Sequence, residues 1–224
     1  MKTLRPLLVA AALAAATPAF AQSWYAGAAG GQSRTGRELV HNRESTVVDA
    51  KEVSSEFDGT DGGWKVFAGW RANDLLAIEA SYADLGTSRL VTHTVSIDDL
   101  VGSIDIHRKI TAYGLDAVLS APIGSQFAVF GRAGAARSRL RADASLEGGI
   151  VFTNGPPDQR ARSITRDETV AHFGLGGEWR LDRVSVRLEW ERFHDVGKAF
   201  RIGGTGTTGE ADTDLVSLGV LFRF

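Results

Sequence analysis

Residues 64–82 read Trp64-Lys65-Val66-Phe67-Ala68-Gly69-Trp70-Arg71-Ala72-Asn73-Asp74-Leu75-Leu76-Ala77-Ile78-Glu79-Ala80-Ser81-Tyr82. On one parity stand Trp64, Val66, Ala68 and Trp70, then Leu76, Ile78, Ala80 and Tyr82; Lys65, Arg71 and Glu79 all fall on the other. Side chains of a strand point to opposite faces with a period of two, so this stretch predicts two strands with one apolar and one charge-bearing face. Helical spacing would scatter the same charges around the apolar stripe. Arg71-Ala72-Asn73-Asp74 supplies the turn residues between the two strands. Apolar outside and polar inside is the pattern of a sheet that faces lipid and encloses a polar lumen.

The period recurs along the chain. Tyr113, Leu115, Ala117 and Leu119 alternate with Gly114, Asp116 and Val118, and Val184, Val186, Leu188 and Trp190 alternate with Ser185, Arg187 and Glu189. Eight segments are predicted, near 23–33, 62–72, 75–86, 109–120, 126–137, 169–180, 184–193 and 214–224. At about 3.3 Å per residue and a tilt of about 40°, ten residues rise roughly 25 Å, the height of an outer-membrane apolar band. Short turns at 71–74, 121–125 and 181–183 alternate with long polar links at 34–61, 87–108, 138–168 and 194–213. The fold class is therefore all-β: an eight-stranded antiparallel up-and-down transmembrane β-barrel. An even strand count lets the sheet close, so that no backbone edge faces lipid unpaired.

The ends agree with this reading. Lys2 and Arg5, the apolar run Leu7 to Ala16 and the small-x-small site Ala19-Phe20-Ala21 read as a signal peptide over 1–21, with the barrel domain over 22–224. The apolar run is about half the length a membrane-spanning helix needs. At the other end Val216, Leu218, Val220, Phe222 and Phe224 alternate up to a C-terminal aromatic. This ending resembles the signal read by the barrel-assembly machinery of Gram-negative bacteria. An edge strand of a soluble sandwich also alternates, but does not require the terminal aromatic.

Bulk composition excludes several function classes. The formal charge of −2 becomes −4 once Lys2 and Arg5 leave with the signal, which gives no footing for nucleic acid. Without cysteine there is no disulfide framework, thiol nucleophile or cysteine metal site. Hydrophobic residues make up only 43% of the chain, and 26 are glycine. That average suits a barrel in which every second strand residue faces a polar interior.

Gly69 to Gly86 is similar to the second and third strands of the OmpA-type transmembrane domain. Trp24-Tyr25-Ala26-Gly27, Gly177-Glu178-Trp179 and Arg187-Leu188-Glu189-Trp190 resemble its first, sixth and seventh. The resemblance implies a small outer-membrane barrel with both termini in the periplasm, here without the peptidoglycan-binding domain that comes after the barrel in OmpA. It also implies a lumen in which a lysine of the first strand exchanges ion pairs with an inward Glu and Arg. Glu178 and Arg187 match those two and Glu79 matches another inward carboxylate, but Ala29 stands at the lysine position.

Strand parity points nine charges inward: Lys65, Arg71, Glu79, Asp116, Arg132, Glu178, Arg187, Glu189 and Glu191. Four cations against five anions predict mutual pairing, and eight strands leave a bore that side chains can fill. A structural plug of ion pairs is the first reading and a narrow or gated ion path, porin-like and of low conductance, the second. Trp24, Trp64, Trp70, Tyr82, Tyr113, Trp179, Trp190, Phe222 and Phe224 read as interfacial aromatic girdles.

Catalysis finds little support. None of His41, His93, His107, His172 and His194 has a serine two positions on, the pair seen in lipid A deacylases. Gln22 leads straight to Trp24, without room for the helix that precedes the palmitoyltransferase barrel. Asp98-Asp99 and Asp212-Thr213-Asp214 read as solvated turns, and no metal or other cofactor is expected. Arg137, Arg139, Arg141, Arg160, Arg162 and Arg166 crowd the third long link, where they serve solubility or meet lipopolysaccharide phosphates. The expected protein is a monomeric, non-enzymatic outer-membrane barrel with a structural or surface-interaction role. Its expected partners are outer-membrane lipid, lipopolysaccharide and the assembly machinery; a channel and a lipid A-modifying enzyme are the alternatives.

Overall fold

The computed structural model describes residues 24–36, 50–96, 98–149, 158–198 and 210–224. The segment 1–21, expected to be a signal peptide, and His41 lie outside them. The strands are β1 (Trp24–Thr35), β2 (Ala50–Asp58), β3 (Thr60–Arg71), β4 (Leu76–Ser96), β5 (Val101–Ile123), β6 (Phe127–Gly148), β7 (Ala161–Leu181), β8 (Val184–Val196) and β9 (Ala211–Arg223). Every pairing is antiparallel. β1 joins β3 on one side and β9 on the other, and β3 to β9 pair in succession, so eight strands close a ring. Closure leaves no sheet edge at the level of the bilayer, as lipid demands.

The ninth strand is a correction to the expected count, though not to the ring. β2 pairs with β4 at Val53↔Thr94 and Asp58↔Arg89, so across Gly59 it continues β3 upward along the same partner. The expected links 34–61, 87–108 and 138–168 are likewise corrected, because much of each is strand. β4 to β7 run 21 to 23 residues and carry the wall far past the membrane band. Link 194–213 holds the ends of β8 and β9.

The two levels of the wall have opposite polarity. In the membrane band the outer face carries Val66, Ile78, Leu115, Leu119, Leu175, Leu188 and Leu218, all exposed, and the charges are inside. Above it the outer face carries Arg89, His107, Lys109, Arg139 and Arg141, while Leu90, Ile104, Ile106, Ile110, Leu140 and Leu146 are buried in one inner cluster. Lipid solvates apolar groups on the first level. Water does not on the second, so the extension must bury an apolar core of its own.

Turns use the expected chemistry. Asn73 Oδ1 accepts hydrogen bonds from the amides of Leu75 and Leu76 at 2.9 and 2.8 Å. Gly124 and Asp182 take the left-handed conformation that tight turns require. On the extension Gly86, with φ of 73°, sits where the β4–β5 register shifts between Asp84 and Thr87. Beside it Asp61 accepts hydrogen bonds from the Thr87 hydroxyl (2.8 Å), the Thr87 amide (2.7 Å) and the Gly62 amide (2.8 Å). The Thr87 hydroxyl, and then these amides, hold the Asp61 carboxyl below its ordinary value. A depressed carboxylate contributes stability above its unfolded pKa and loses it as pH falls through the folded one. Replacing Thr87 with Val is expected to raise the Asp61 midpoint toward the ordinary value in an NMR pH titration; an unchanged midpoint would mean that the hydroxyl contributes nothing.

Candidate functional site in the barrel lumen

Alternation places one inward charge or more on six neighbouring strands: Lys65 and Arg71 on β3, Glu79 on β4, Asp116 on β5, Arg132 on β6, Glu178 on β7, and Arg187, Glu189 and Glu191 on β8. All but Arg71 are buried, and Arg71 is mostly so. The structure brings all nine into two connected clusters. In the upper one Arg132 is central. Its Nη1 meets Glu191 Oε1 at 2.5 Å and Glu189 Oε1 at 3.2 Å, and its Nη2 meets Glu79 Oε1, with Asp116 at 3.9 Å. Lys65 Nζ lies between Glu189 Oε2 (2.5 Å) and Glu191 Oε2 (2.6 Å). Arg187 joins the levels, with Glu79 Oε2 at 2.8 Å and Glu178 Oε2 at 3.3 Å.

The lower cluster gathers around Glu178, which meets Arg71 at 3.2 Å, Arg180 at 3.2 Å and Arg223 at 3.6 Å. Arg180 and Arg223 are functional-site residues absent from the nine that parity selects. Both lie on inward parity, but at strand ends next to turns, where parity alone does not separate lumen from solvent. Tyr25 is a further addition. Its ring is buried, its hydroxyl donates to Glu79 Oε2 at 2.8 Å, and the Arg71 and Arg187 guanidinium carbons lie 5.3 and 5.7 Å from its centroid. Arg187 also lies over Phe67 and Phe130, at 4.9 and 4.6 Å. These aromatics replace part of the hydration a buried guanidinium loses.

The register accounts for the missing first-strand lysine. Ala29 of β1 is the cross-strand partner of Lys65 of β3. The ammonium enters the lumen one strand over, and the small Ala29 leaves it room.

His172, on β7, closes the upper cluster. Its Nδ1 is 2.9 and 3.0 Å from the two Asp116 oxygens, its Nε2 is 3.3 Å from Glu191 Oε1, and its ring stacks on Phe193 at 4.3 Å. A nucleophilic triad needs a hydroxyl on the ring nitrogen opposite the acid. Here a second carboxylate occupies that position. Among the described residues one grouping has metal-ligand chemistry: His194, Asp195 and Asp212, at the end of the barrel opposite the tight turns. Asp212 lies 2.7 Å from Nδ1 and Asp195 3.4 Å from Nε2, while Arg192 and Lys198 approach the same carboxylates. The imidazole separates the two acids, so the group reads as a charge-paired cap between β8 and β9.

Outside the lumen, Trp64, Tyr82 and Tyr113 form a continuous row, with centroids 5.5 and 4.9 Å apart, and Trp190 meets Phe173 at 6.1 Å. Trp24, Trp70, Trp179, Phe222 and Phe224 face outward at the tight-turn end, Trp179 stacked on Phe127 and Phe222 against Phe224. Val216, Leu218 and Val220 complete the exposed outer face of β9.

Among solved structures the chain is similar to Neisserial surface protein A, at 15% identity and a TM-score of 0.49, covering 90% of this chain and 97% of that one. It is also similar to the N-terminal β-barrel domain of Pseudomonas aeruginosa OprF, at 16% identity and 0.44, covering 91% and 98%. The outer membrane protease OmpT from Escherichia coli aligns at 11% identity and 0.49, covering 94% and 99%. No curated protein sequence matches the chain. The sequence profile of one family matches residues 7–224, almost the whole chain. The chain belongs to the outer membrane protein β-barrel domain family, a family of the bacterial outer membrane.

Proposed function

We propose that the protein is a closed, non-enzymatic barrel that serves the cell envelope through its wall and its outward extension rather than through its bore. The observation that carries this reading is the upper cluster. Lys65, Glu79, Arg132, Arg187, Glu189 and Glu191 reach across the lumen from four strands and are each almost fully buried. Such a layer blocks a bore that is only about as wide as its own side chains. In this orientation the tight turns and both termini face the periplasm, and the extension of β2 and β4 to β7 stands outside the cell. The aromatic rows meet the two bilayer interfaces, lipopolysaccharide surrounds the outer one, and the β9 ending guides assembly. The non-enzymatic reading rests on His172, whose two ring nitrogens are both engaged by acids inside the lumen.

The test is electrophoretic mobility of the detergent-folded mature protein with and without boiling, and then single-channel recording in a planar bilayer. A heat-shifted band without current is expected. Arg187→Ala is expected to unfold at lower denaturant, still without current. Discrete steps in the wild type, or their appearance in Arg187→Ala without loss of stability, would replace the plug with a gated ion path.

A further inference from the structure

The lower cluster is out of charge balance. Glu178 is the one carboxylate within 4.0 Å of Arg71, Arg180 and Arg223 among the described residues. It also serves Arg187 and accepts a hydrogen bond from Ser185 at 3.1 Å. A carboxylate has about four lone-pair sites, whereas each guanidinium carries five N–H donors, so acceptors run out well before donors. Asp182 offers Arg223 its main-chain carbonyl, at 2.6 Å, and not its carboxylate. Arg71 Nε and Arg180 Nη2 are enclosed and have no acceptor among the described residues. Three guanidiniums thus converge on one acid, which Arg187 also shares, and beyond it only the more distant Asp182 carboxylate acts on Arg223, so positive charge is in excess. The cluster lies at the tight-turn mouth, and the three side chains remain 15 to 20% exposed, open to an ion from that side.

We propose that this mouth is a binding site for a phosphate-type oxyanion held by Arg71, Arg180 and Arg223. Guanidinium forks match the oxygens of a tetrahedral oxyanion, and charge-assisted hydrogen bonds are the stronger class. Arg187 and Glu178 form the floor of the site: Arg187 is already committed to Glu79 and to three aromatic rings, and Glu178 fixes the arginines at its rim. The same chemistry is presented by a free anion of the aqueous compartment and by the phosphate of a phospholipid at the neighbouring interface.

The experiment titrates inorganic phosphate into the folded protein in phospholipid-free detergent at constant ionic strength, read by isothermal titration calorimetry with chloride as reference. Saturable binding is expected in the wild type. It should weaken at least tenfold in R180Q/R223Q and stay unchanged in R183Q, which alters an exposed arginine of the adjacent turn. A heat-shifted band checks that each variant is folded. Wild-type protein that binds phosphate no better than chloride would overturn the proposal whatever the variants do, and so would a folded R180Q/R223Q that binds as the wild type does. Repeating the titration in phosphatidylglycerol nanodiscs separates the sources. Undiminished binding assigns the site to a free anion, and competition by the bilayer assigns it to a lipid headgroup; either supports the oxyanion site.

Discussion

Arg132→Ala is expected to destabilise the barrel by about 3–5 kcal/mol, the cost of removing one partner from a buried ionic network. Arg132 is the one cation that touches all four acids of the upper cluster, Glu79, Asp116, Glu189 and Glu191. Without it Lys65 still answers Glu189 and Glu191, and Arg187 still answers Glu79. The acids nevertheless face one another with one cation fewer and no bulk water to screen them. Arg132→Lys should recover only part of the loss, because a single ammonium cannot place donors on Glu79 and Glu191 as the two guanidinium nitrogens do. Urea unfolding in lipid vesicles measures both variants. A loss below about 1 kcal/mol for Arg132→Ala would mean that the lumen is wet and the pairs are screened.

Tyr25→Ala is expected to cost a comparable amount, about 3–5 kcal/mol, for the cavity left by a buried ring. The ring lies across Gly69, its cross-strand partner, so closely that a Cβ at that position would overlap it. An aromatic covering a strand glycine restores the packing that the glycine lacks. The phenol also supports the Arg71 and Arg187 guanidiniums and donates to Glu79. Tyr25→Phe keeps the ring and loses only the charge-assisted hydrogen bond, about 1.5–3 kcal/mol. The order Ala below Phe below wild type in the same unfolding assay is the expected result. Equal losses for Phe and Ala would shift the contribution from packing to the hydroxyl.

The membrane band is legible in the sequence because one physical rule fixes it residue by residue. Lipid on one side and a polar lumen on the other force a period of two, so Trp64 to Tyr82 already separates Lys65, Arg71 and Glu79 from the lipid face. The extension escapes that rule although it alternates just as regularly. In Leu90-Val91-Thr92-His93-Thr94 and Arg139-Leu140-Arg141-Ala142-Asp143 the polarity of the two faces no longer matches the membrane band, and in the second stretch the charged residues are outward and the apolar ones inward. Apolar outer faces end where lipid gives way to water, and the strands beyond that level have the composition of polar loops.

By itself, then, the sequence determined the strands of the membrane band, their tight turns, the face each side chain takes and nine of the inward charges, since these depend only on local period and on the solvent each face meets; Arg180 and Arg223, at strand ends beside the turns, escaped it. Pairing was decided by the tertiary structure alone. That Lys65 stands opposite Ala29, that Arg132 gathers four acids from three other strands, that His172 sits between Asp116 and Glu191, and that four arginines share Glu178 are all consequences of strand register and ring closure. Parity says which way a side chain points. The height at which it meets its partners across the bore is a property of the closed barrel.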